Sequence, residues 1–222
     1  MDIQWWHFIL IFLGGYLIGN INFAILITKF MKTDIRKMGS GNPGTINMVR
    51  NFGFKIGALT LILDCLKGFL PSLIGFLIAG TAGLYTAGLG VIIGHIYPAV
   101  YKFKGGKGIA STLGIFLVSQ PWLTVILFII AFIYTLIFEY GSIGSLFCVS
   151  VLVIVEGFRC KAEPFALYIS LLLFAIFILT WFAHRKNIYR LLMGVENKTN
   201  LRPAVAKIFT KKHNSSDDNK NE

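Results

Sequence analysis

Three short polar clusters interrupt the long apolar runs of this sequence, and their residue types suit the binding of phosphate groups. The first cluster contains glycines, uncharged polar side chains and one arginine, namely Gly39, Ser40, Gly41, Asn42, Asn47 and Arg50. Glycines let backbone N–H groups approach an anion closely, and an arginine can bind phosphate through two parallel hydrogen bonds. The alternative is a glycine-rich turn that only joins an interfacial helix to a membrane span.

The second cluster centres on a Gly-Gly-Lys-Gly sequence, and it comprises His95, Lys104, Gly105, Gly106, Lys107 and Gly108. A glycine loop that opens a helix brings backbone amides and the positive end of the helix dipole together, so the pattern predicts a phosphate cradle to which Lys107 adds a full charge. The Gly-x4-Gly-Lys-Ser/Thr spacing of a Walker A motif is absent. A short turn with lysines that reach to the membrane interface would give a similar pattern.

The third cluster follows the last apolar segment. His184, Asn187 and Arg190 recur at i, i+3 and i+6, so they lie near one stripe if that segment continues as a helix. Basic residues that cap a helix C-terminus at the membrane interface are the alternative interpretation.

Two charged residues, Asp64 and Lys67, lie inside an apolar segment. Each charge at the centre of a membrane helix costs about 2.5–3.5 kcal/mol, so we expect them to be paired, shallow or facing a polar cavity. Their i, i+3 spacing allows them to pair with each other. A purely structural ion pair and a functional site both remain open.

The elements that must position these clusters are membrane helices. Of the 222 residues, 55% are hydrophobic and only 14% are charged, which is too apolar for a soluble domain of this size. Apolar runs of bilayer-spanning length predict an all-α integral membrane protein with about seven transmembrane helices. The segments are 5–29, 54–80, 82–98, 108–120, 121–138, 142–157 and 163–183. Because the fourth is short and Pro71 should kink the second, six or eight segments are also possible.

The basic residues set the expected orientation. All of the 21 Lys and Arg residues except Lys67, Arg159 and Lys161 fall in or beside the polar regions 30–53 and 99–107 and the tail from 184 onwards. Seven spans put these regions on one face, and the positive-inside rule makes that face cytoplasmic, with the N-terminus outside and the C-terminus in the cytoplasm. The net charge of +11 does not indicate a nucleic-acid partner, because the basic residues alternate with hydrophobic spans.

The rest of the sequence indicates one membrane domain and no metal. Residues 1–198 form the expected domain, and 199–222 form a basic and then polar cytoplasmic tail that we expect to be disordered from about residue 211. Cys65, Cys148 and Cys160 lack metal-ligand spacing and are expected to be buried, reduced thiols. Neither a metal site nor a cofactor is predicted.

Together, the three clusters resemble the bacterial acyl-phosphate:glycerol-3-phosphate acyltransferase family, known as PlsY. The resemblance covers nearly all of residues 10–198, and the order of the motifs is highly specific. It rests on Asp34-Ile35-Arg36, Gly39-Ser40-Gly41-Asn42, Asn47 and Arg50, on Leu63-Asp64, Lys67-Gly68 and Pro71, on Gly94-His95, Pro98 and Lys104-Gly105-Gly106-Lys107-Gly108, and on His184-Arg185, Asn187, Arg190, Gly194 and Glu196-Asn197.

The resemblance implies a seven-helix fold in the bacterial cytoplasmic membrane, with the active site facing the cytoplasm. It implies transfer of a fatty acyl group from acyl phosphate to the 1-hydroxyl of glycerol 3-phosphate, giving lysophosphatidic acid and phosphate in phospholipid biosynthesis. The expected partners are acyl phosphate, glycerol 3-phosphate and the lipid bilayer, with no required protein partner.

The resemblance also assigns roles to residues. The implied catalytic residues are Ser40, Arg50, Lys107, His184 and Asn187. The implied substrate-binding residues are Gly39, Gly41, Asn42, Asn47, Lys67, His95, Lys104, Gly105, Gly106, Gly108 and Ser142, and Asp64 and Glu196 are expected to be structural. The acceptor hydroxyl must lose a proton, and either His184 or a substrate phosphate could take it.

Five positions depart from the family pattern. Asn20 and Asn22 stand where serine and proline are usual, Pro43 stands where an aliphatic residue is usual, and Thr45 and Ile46 stand where alanine and threonine are usual. These changes keep an inactive scaffold paralogue open as an alternative. A carrier for an anionic solute is a further alternative, but carriers usually show internal repeats and none is found in this sequence.

Overall fold

The computed structural model describes residues 3–207, and every regular element within that range is helical. The α-helices are α1 (Trp5–Gly19), α2 (Phe23–Phe30), α3 (Thr45–Ile96), α4 (Ile109–Ser119), α5 (Pro121–Phe138), α6 (Gly141–Arg159), α7 (Ala166–Ala183) and α8 (Arg185–Leu192). Short 3₁₀ turns lie at Ile35–Lys37, Ala99–Tyr101 and Cys160–Ala162. The disordered tail predicted from about residue 211 lies outside the described residues.

Within residues 3–207, five helical stretches are long and apolar enough to cross a membrane. They are Trp5–Phe30, Thr45–Tyr101, Pro121–Phe138, Gly141–Ala162 and Ala166–Ala183, and Ile109–Ser119 is a shorter apolar helix. Large apolar side chains such as Trp122 and Leu167 are exposed on the outside of the bundle, as a lipid-facing surface requires. The predicted all-α membrane architecture is therefore confirmed, and the count of seven spans stays a prediction.

Helix α3 is too long for one crossing. Its 52 residues would extend about 78 Å at 1.5 Å per residue, against a hydrocarbon core of about 30 Å. The backbone leaves helical dihedral angles at Ala79 and Gly80, close to the predicted boundary between the second and third segments, and again at Gly53. At Pro71, where the sequence predicts a kink, the dihedral angles stay helical, so the interruption lies at glycine and not at proline.

The first span is interrupted as well. Helix α1 ends at Gly19, and α2 begins after Asn22, whose side-chain oxygen accepts a hydrogen bond from Ile25 N at 3.0 Å. The sequence predicts a single segment over 5–29, whereas the structure has two helices joined by residues 20–22. We call residues 19–22 the helix break.

Glycines bring α1, α3 and α4 into close contact. A Cβ atom at Gly15 or Gly19 of α1, or at Gly90 or Gly94 of α3, would collide with the backbone of the opposite helix. Small residues at such spacing are typical of tight packing between membrane helices. The core beneath this contact joins α3, α4, α6 and α7 through Tyr85, Phe116, Leu152, Leu173 and Ile176.

The cysteines belong to the packed interior. Cys148 and Cys160 are buried as predicted, Cys65 is partly exposed, and all three are free thiols. Residues 3–207 contain no group of three or more His, Cys, Asp or Glu side chains placed to hold a metal ion.

Candidate active site

A cavity of about 440 Å³ unites the three polar clusters. Its polar lining includes Ser40, Asn42, Asn47, Arg50, His95, Lys107, Gly108, Ser142, His184, Asn187 and Glu196. Its apolar lining includes Phe54, Ala58, Leu61, Ile62, Leu113, Phe128, Ala131, Phe132 and Cys148. The cavity therefore has a polar part, here called the polar end, and an apolar part lined mainly by α3 and α5, here called the apolar groove.

Lys107 links the second cluster to the third. It lies in the loop of residues 97–108, here called the lysine loop, which ends at Gly108 with φ +83° where α4 begins. Its Nζ donates a hydrogen bond to Oδ1 of Asn187 at 2.5 Å. Burial lowers the pKa of Lys107 to about 8, although the negative charge of Glu196 opposes this shift. At neutral pH Lys107 therefore keeps its positive charge.

Glu196 fixes the orientation of Asn187. Its Oε1 accepts hydrogen bonds from Asn187 Nδ2 at 2.6 Å and from Ser142 Oγ at 2.9 Å, and its Oε2 accepts one from Arg190 Nε at 2.8 Å. Burial alone would raise the pKa of Glu196, but these hydrogen bonds together lower it below its usual value. Glu196 is therefore an anion that turns the Asn187 oxygen towards Lys107.

His184 is buried where α7 ends, and it is neutral. Its Nδ1 lies 2.8 Å from the carbonyl oxygen of Thr180, and a carbonyl can only accept a hydrogen bond, so Nδ1 carries the proton and Nε2 does not. Burial, together with the nearby charge of Lys107, lowers the pKa of His184 to about 4. The imidazole of His184 is therefore uncharged at physiological pH.

Asn47 organises the loop of residues 38–44, here called the serine loop. Its Nδ2 donates to the carbonyl oxygens of Met38 at 2.9 Å and Ile35 at 3.3 Å, and its Oδ1 accepts from Ser40 N at 3.0 Å. Gly39 and Gly41 have φ of +54° and +71°, a conformation that favours glycine. Asn47 therefore acts through the shape of this loop, beside the exposed Ser40 side chain.

Arg50 is held by a contact that the sequence analysis missed. Its Nη2 donates to the backbone oxygen of Lys198 at 2.6 Å, and its Nη1 donates to Asn47 Oδ1 at 3.3 Å. Beyond Lys198, Thr199 donates its backbone N–H to Glu139 O at 3.0 Å. Asn197, Thr199 and Leu201 also line the cavity, so the chain after α8 covers part of its polar end.

Several predicted binding residues do not line the cavity, namely Gly39, Gly41, Lys67, Lys104, Gly105 and Gly106. Lys104 is exposed. The amides of Gly105 and Gly106 donate to the carbonyls of Ile96 and His95, at 3.1 and 3.0 Å. The prediction that these two amides cradle a phosphate is therefore corrected. Ile109 and Ala110, in the first turn of α4, do line the cavity, and amides in the first turn of a helix have no partner within that helix.

Asp64 and Lys67 pair with each other, as their spacing allows. Lys67 Nζ lies 2.9 Å from Asp64 Oδ1, and both side chains are about 2% exposed. Lys67 also donates to the carbonyl oxygen of Ile21 at 2.5 Å. Asp64 lines the cavity and Lys67 does not. The ammonium group of Lys67 therefore stabilises the fold and does not contact a ligand in the cavity.

Comparison with known proteins decides the family. The family model described as glycerol-3-phosphate acyltransferase matches residues 9–194, which include all three clusters. The chain belongs to the glycerol-3-phosphate acyltransferase family. A glycerol-3-phosphate acyltransferase of Finegoldia magna is 42% identical over 185 residues, covering 82% of this chain and 91% of that protein. The glycerol-3-phosphate acyltransferase 2 of Thermotoga maritima is 39% identical over 201 residues, covering 89% and 97%.

Solved structures of this acyltransferase family share the fold. The crystal structure of PlsY (YgiH), an integral membrane glycerol 3-phosphate acyltransferase, in its glycerol 3-phosphate form matches with a TM-score of 0.78 and 33% identity, covering 86% of this chain and 95% of that one. Its lysophosphatidic acid form matches with a TM-score of 0.76 and 32% identity over the same shares. The resemblance to the PlsY family is thus confirmed, and so is the integral membrane fold.

Proposed function

We propose that this protein transfers a fatty acyl group from acyl phosphate to the 1-hydroxyl of glycerol 3-phosphate, giving lysophosphatidic acid and phosphate. The observation that carries the proposal is the cavity, which joins an end rich in cations and amides to an apolar groove. Such a shape suits a reaction between a lipid with a phosphate leaving group and a small phosphorylated acceptor. Membership of the acyltransferase family supports the same reaction class.

The polar end suits two phosphate groups better than one. Arg50 and Lys107 supply positive charge, and the first turn of α4 supplies amides. Two anionic substrates repel each other, so the principal task of the site is to neutralise and orient them. We assign the donor phosphate to Ser40 and nearby amides, and glycerol 3-phosphate to Lys107 and Asn187. No covalent acyl-enzyme is required, because acyl phosphate is a mixed anhydride that already carries a good leaving group.

The proton of the acceptor hydroxyl is assigned to a substrate phosphate. The hydroxyl oxygen attacks the acyl carbonyl carbon, the bond between that carbon and the phosphate oxygen breaks, and the proton moves to phosphate. Burial and the charge of Lys107 lower the pKa of His184 to about 4, which disfavours it as a general base, whereas a phosphate dianion, with a second pKa of about 6 in solution, can accept the proton. His184 is therefore a positioning group beside the acceptor.

The apolar groove is assigned to the acyl chain. On α3, Phe54, Ala58 and Leu61 recur on one face, and on α5, Phe128 and Phe132 do the same. The donor would enter this groove sideways from the bilayer, and glycerol 3-phosphate would enter from the polar end. By the positive-inside rule that end faces the cytoplasm of a bacterium, with seven spans and an external N-terminus.

The proposal is tested with purified protein in detergent, palmitoyl phosphate and glycerol 3-phosphate, with palmitoyl-CoA as a parallel donor. We expect lysophosphatidic acid from palmitoyl phosphate and none from palmitoyl-CoA. Lysophosphatidic acid from palmitoyl-CoA alone would overturn the donor assignment. No product from either donor, with protein that remains folded and monodisperse, would overturn the acyl transfer itself.

A further inference from the structure

Two buried asparagines of the helix break contact the two loops of the candidate active site. Asn20 is 6% exposed and Asn22 is fully buried. If a buried asparagine only capped its own helix, its side chain would form hydrogen bonds within that helix alone. Each of these two asparagines instead has one hydrogen bond to its own helix and one to a distant segment.

Asn22 binds the serine loop. Its Oδ1 caps α2 by accepting from Ile25 N at 3.0 Å, and its Nδ2 donates to the carbonyl oxygen of Pro43 at 3.2 Å. Pro43 immediately precedes Gly44, the residue from which α3 begins. The side chain therefore fixes the end of the serine loop relative to the first span.

Asn20 binds the start of the lysine loop. Its Nδ2 donates to Tyr16 O in α1 at 2.6 Å, and its Oδ1 accepts from the backbone N–H of Ala99 at 2.6 Å. Ala99 begins the 3₁₀ turn that leads to Lys107. The same helix break thus holds one loop through Asn22 and the other through Asn20.

A buried charge pair on α3 contacts the backbone of the helix break. Lys67 Nζ donates to Ile21 O at 2.5 Å and pairs with Asp64, whose Oδ1 also lies 3.9 Å from Nδ1 of the buried His95. His95 in turn touches the lysine loop, because a Cβ atom added at Gly106 would collide with its ring. That added atom would also lie 3.1 Å from the oxygen of Pro43, so the two loops meet at Gly106.

We propose that the helix break is a clamp that sets the distance between the serine loop and the lysine loop. Asn20 and Asn22 are positioning residues in this arrangement, and Lys67 holds the break in place. The functional meaning rests on the proposed acyl transfer, in which the two loops bind the phosphates of the two substrates.

The clamp is tested first by a measurement that needs no catalysis. Ser40 and Lys104 are exposed, one on each loop, and take spin labels after replacement by cysteine in a background with the native cysteines changed to alanine. Asn22→Ser keeps a good helix cap but cannot reach Pro43. We expect it to broaden the distance distribution between the labels, and Asn20→Ala to do the same. Thr86→Val, which removes a partly buried hydrogen bond to Tyr168 elsewhere in the bundle, should leave the distribution unchanged. A distribution that neither asparagine variant changes overturns the clamp.

Kinetics then separate the clamp from the proposed reaction. In protein that makes lysophosphatidic acid, Asn22→Ser should lower kcat on the order of ten- to hundredfold while the KM of each substrate changes little, because each loop still binds its own phosphate. A folding defect alone would lower the amount of active protein and leave kcat per folded molecule unchanged, and that result would overturn the positioning role. If the wild-type protein makes no product but the label distances still broaden, the acyl transfer is wrong and the clamp stands.

Discussion

The ammonium group of Lys107 donates a hydrogen bond to Oδ1 of Asn187 at 2.5 Å, although 80 positions separate the two residues in sequence. The amide nitrogen of Asn187 is held by Glu196, so its oxygen has one orientation only. Lys107 of the second cluster is thereby held by Asn187 of the third cluster, and the Glu196 anion orients Asn187. This relationship is the basis of the first two predictions.

Replacing Glu196 by glutamine should weaken catalysis without unfolding the protein. The change removes the negative charge that holds Asn187 and Arg190, and hydrogen bonds to charged groups contribute about 1.5–3 kcal/mol. We expect kcat/KM for glycerol 3-phosphate to fall about ten- to hundredfold, measured by lysophosphatidic acid formation. Glu163→Gln, which follows the 3₁₀ turn Cys160–Ala162 and does not line the cavity, is the matched control and should behave like the wild type. Unchanged activity in Glu196→Gln would show that Asn187 needs no anion to orient it.

Activity should decline above about pH 8 because Lys107 loses its proton there. Its pKa is lowered from the ordinary lysine value, so the charged form that binds phosphate is present below about pH 8 and is lost as the pH rises. The pH profile of kcat/KM reports this free-enzyme pKa. Lys107→Arg, which stays charged at every accessible pH, should keep its remaining activity from pH 7 to pH 10. The same decline in the arginine variant would assign the titration to another group.

His184→Gln should keep appreciable turnover. The imidazole has a pKa of about 4, so it is neutral at physiological pH, and the proposed proton acceptor is a substrate phosphate. Glutamine can preserve a hydrogen bond from the same position, so a fall in kcat of about tenfold is expected, less than the 10²–10⁴-fold contribution of a general base. Near-complete loss of activity in a variant with wild-type thermal stability would make His184 the base.

Enlarging Ala131 should shorten the preferred acyl chain. Ala131 lines the apolar groove on α5, so a leucine there occupies space that the donor chain would otherwise fill. If two methylene groups lose their site, the preference for palmitoyl over dodecanoyl phosphate should fall about tenfold, at about 0.8 kcal/mol for each group. Ile129→Phe, which is 49% exposed on the same helix and does not line the groove, is the control. Equal effects of both variants would place the acyl chain elsewhere.

Much of the architecture is predictable because membrane helices have a strong sequence signal. Long apolar runs predict the spans to within a few residues, as for α5 at Pro121–Phe138, and the glycine at position 80 marks the division of α3. The helix break after Gly19 is harder to predict, because its asparagines look like ordinary polar residues within a span. Their hydrogen bonds to Pro43 and Ala99 form only when distant loops fold against them.

In the site, too, residues within local motifs can be predicted from the sequence, whereas contacts between distant segments cannot. The family resemblance singles out Ser40, Arg50, Lys107 and Asn187 within the three clusters, and all four side chains belong to residues that line the cavity. The contact of Arg50 with the Lys198 carbonyl has no sequence signal, because a backbone oxygen exists at every position. For Gly105 and Gly106 the sequence signal is present but the prediction is wrong. Their glycine-rich pattern is typical of a phosphate-binding loop, whereas in the fold their amides donate to backbone carbonyls.

The most direct measurement is the ratio of lysophosphatidic acid formed to phosphate released, in wild-type protein and in Lys107→Met supplied with palmitoyl phosphate and glycerol 3-phosphate. Direct acyl transfer at this cavity predicts one lysophosphatidic acid for each phosphate in the wild type. It also predicts the loss of both products in the variant, because methionine keeps the side-chain length without the charge. Phosphate release without lysophosphatidic acid, or full activity in Lys107→Met, would contradict the proposed function.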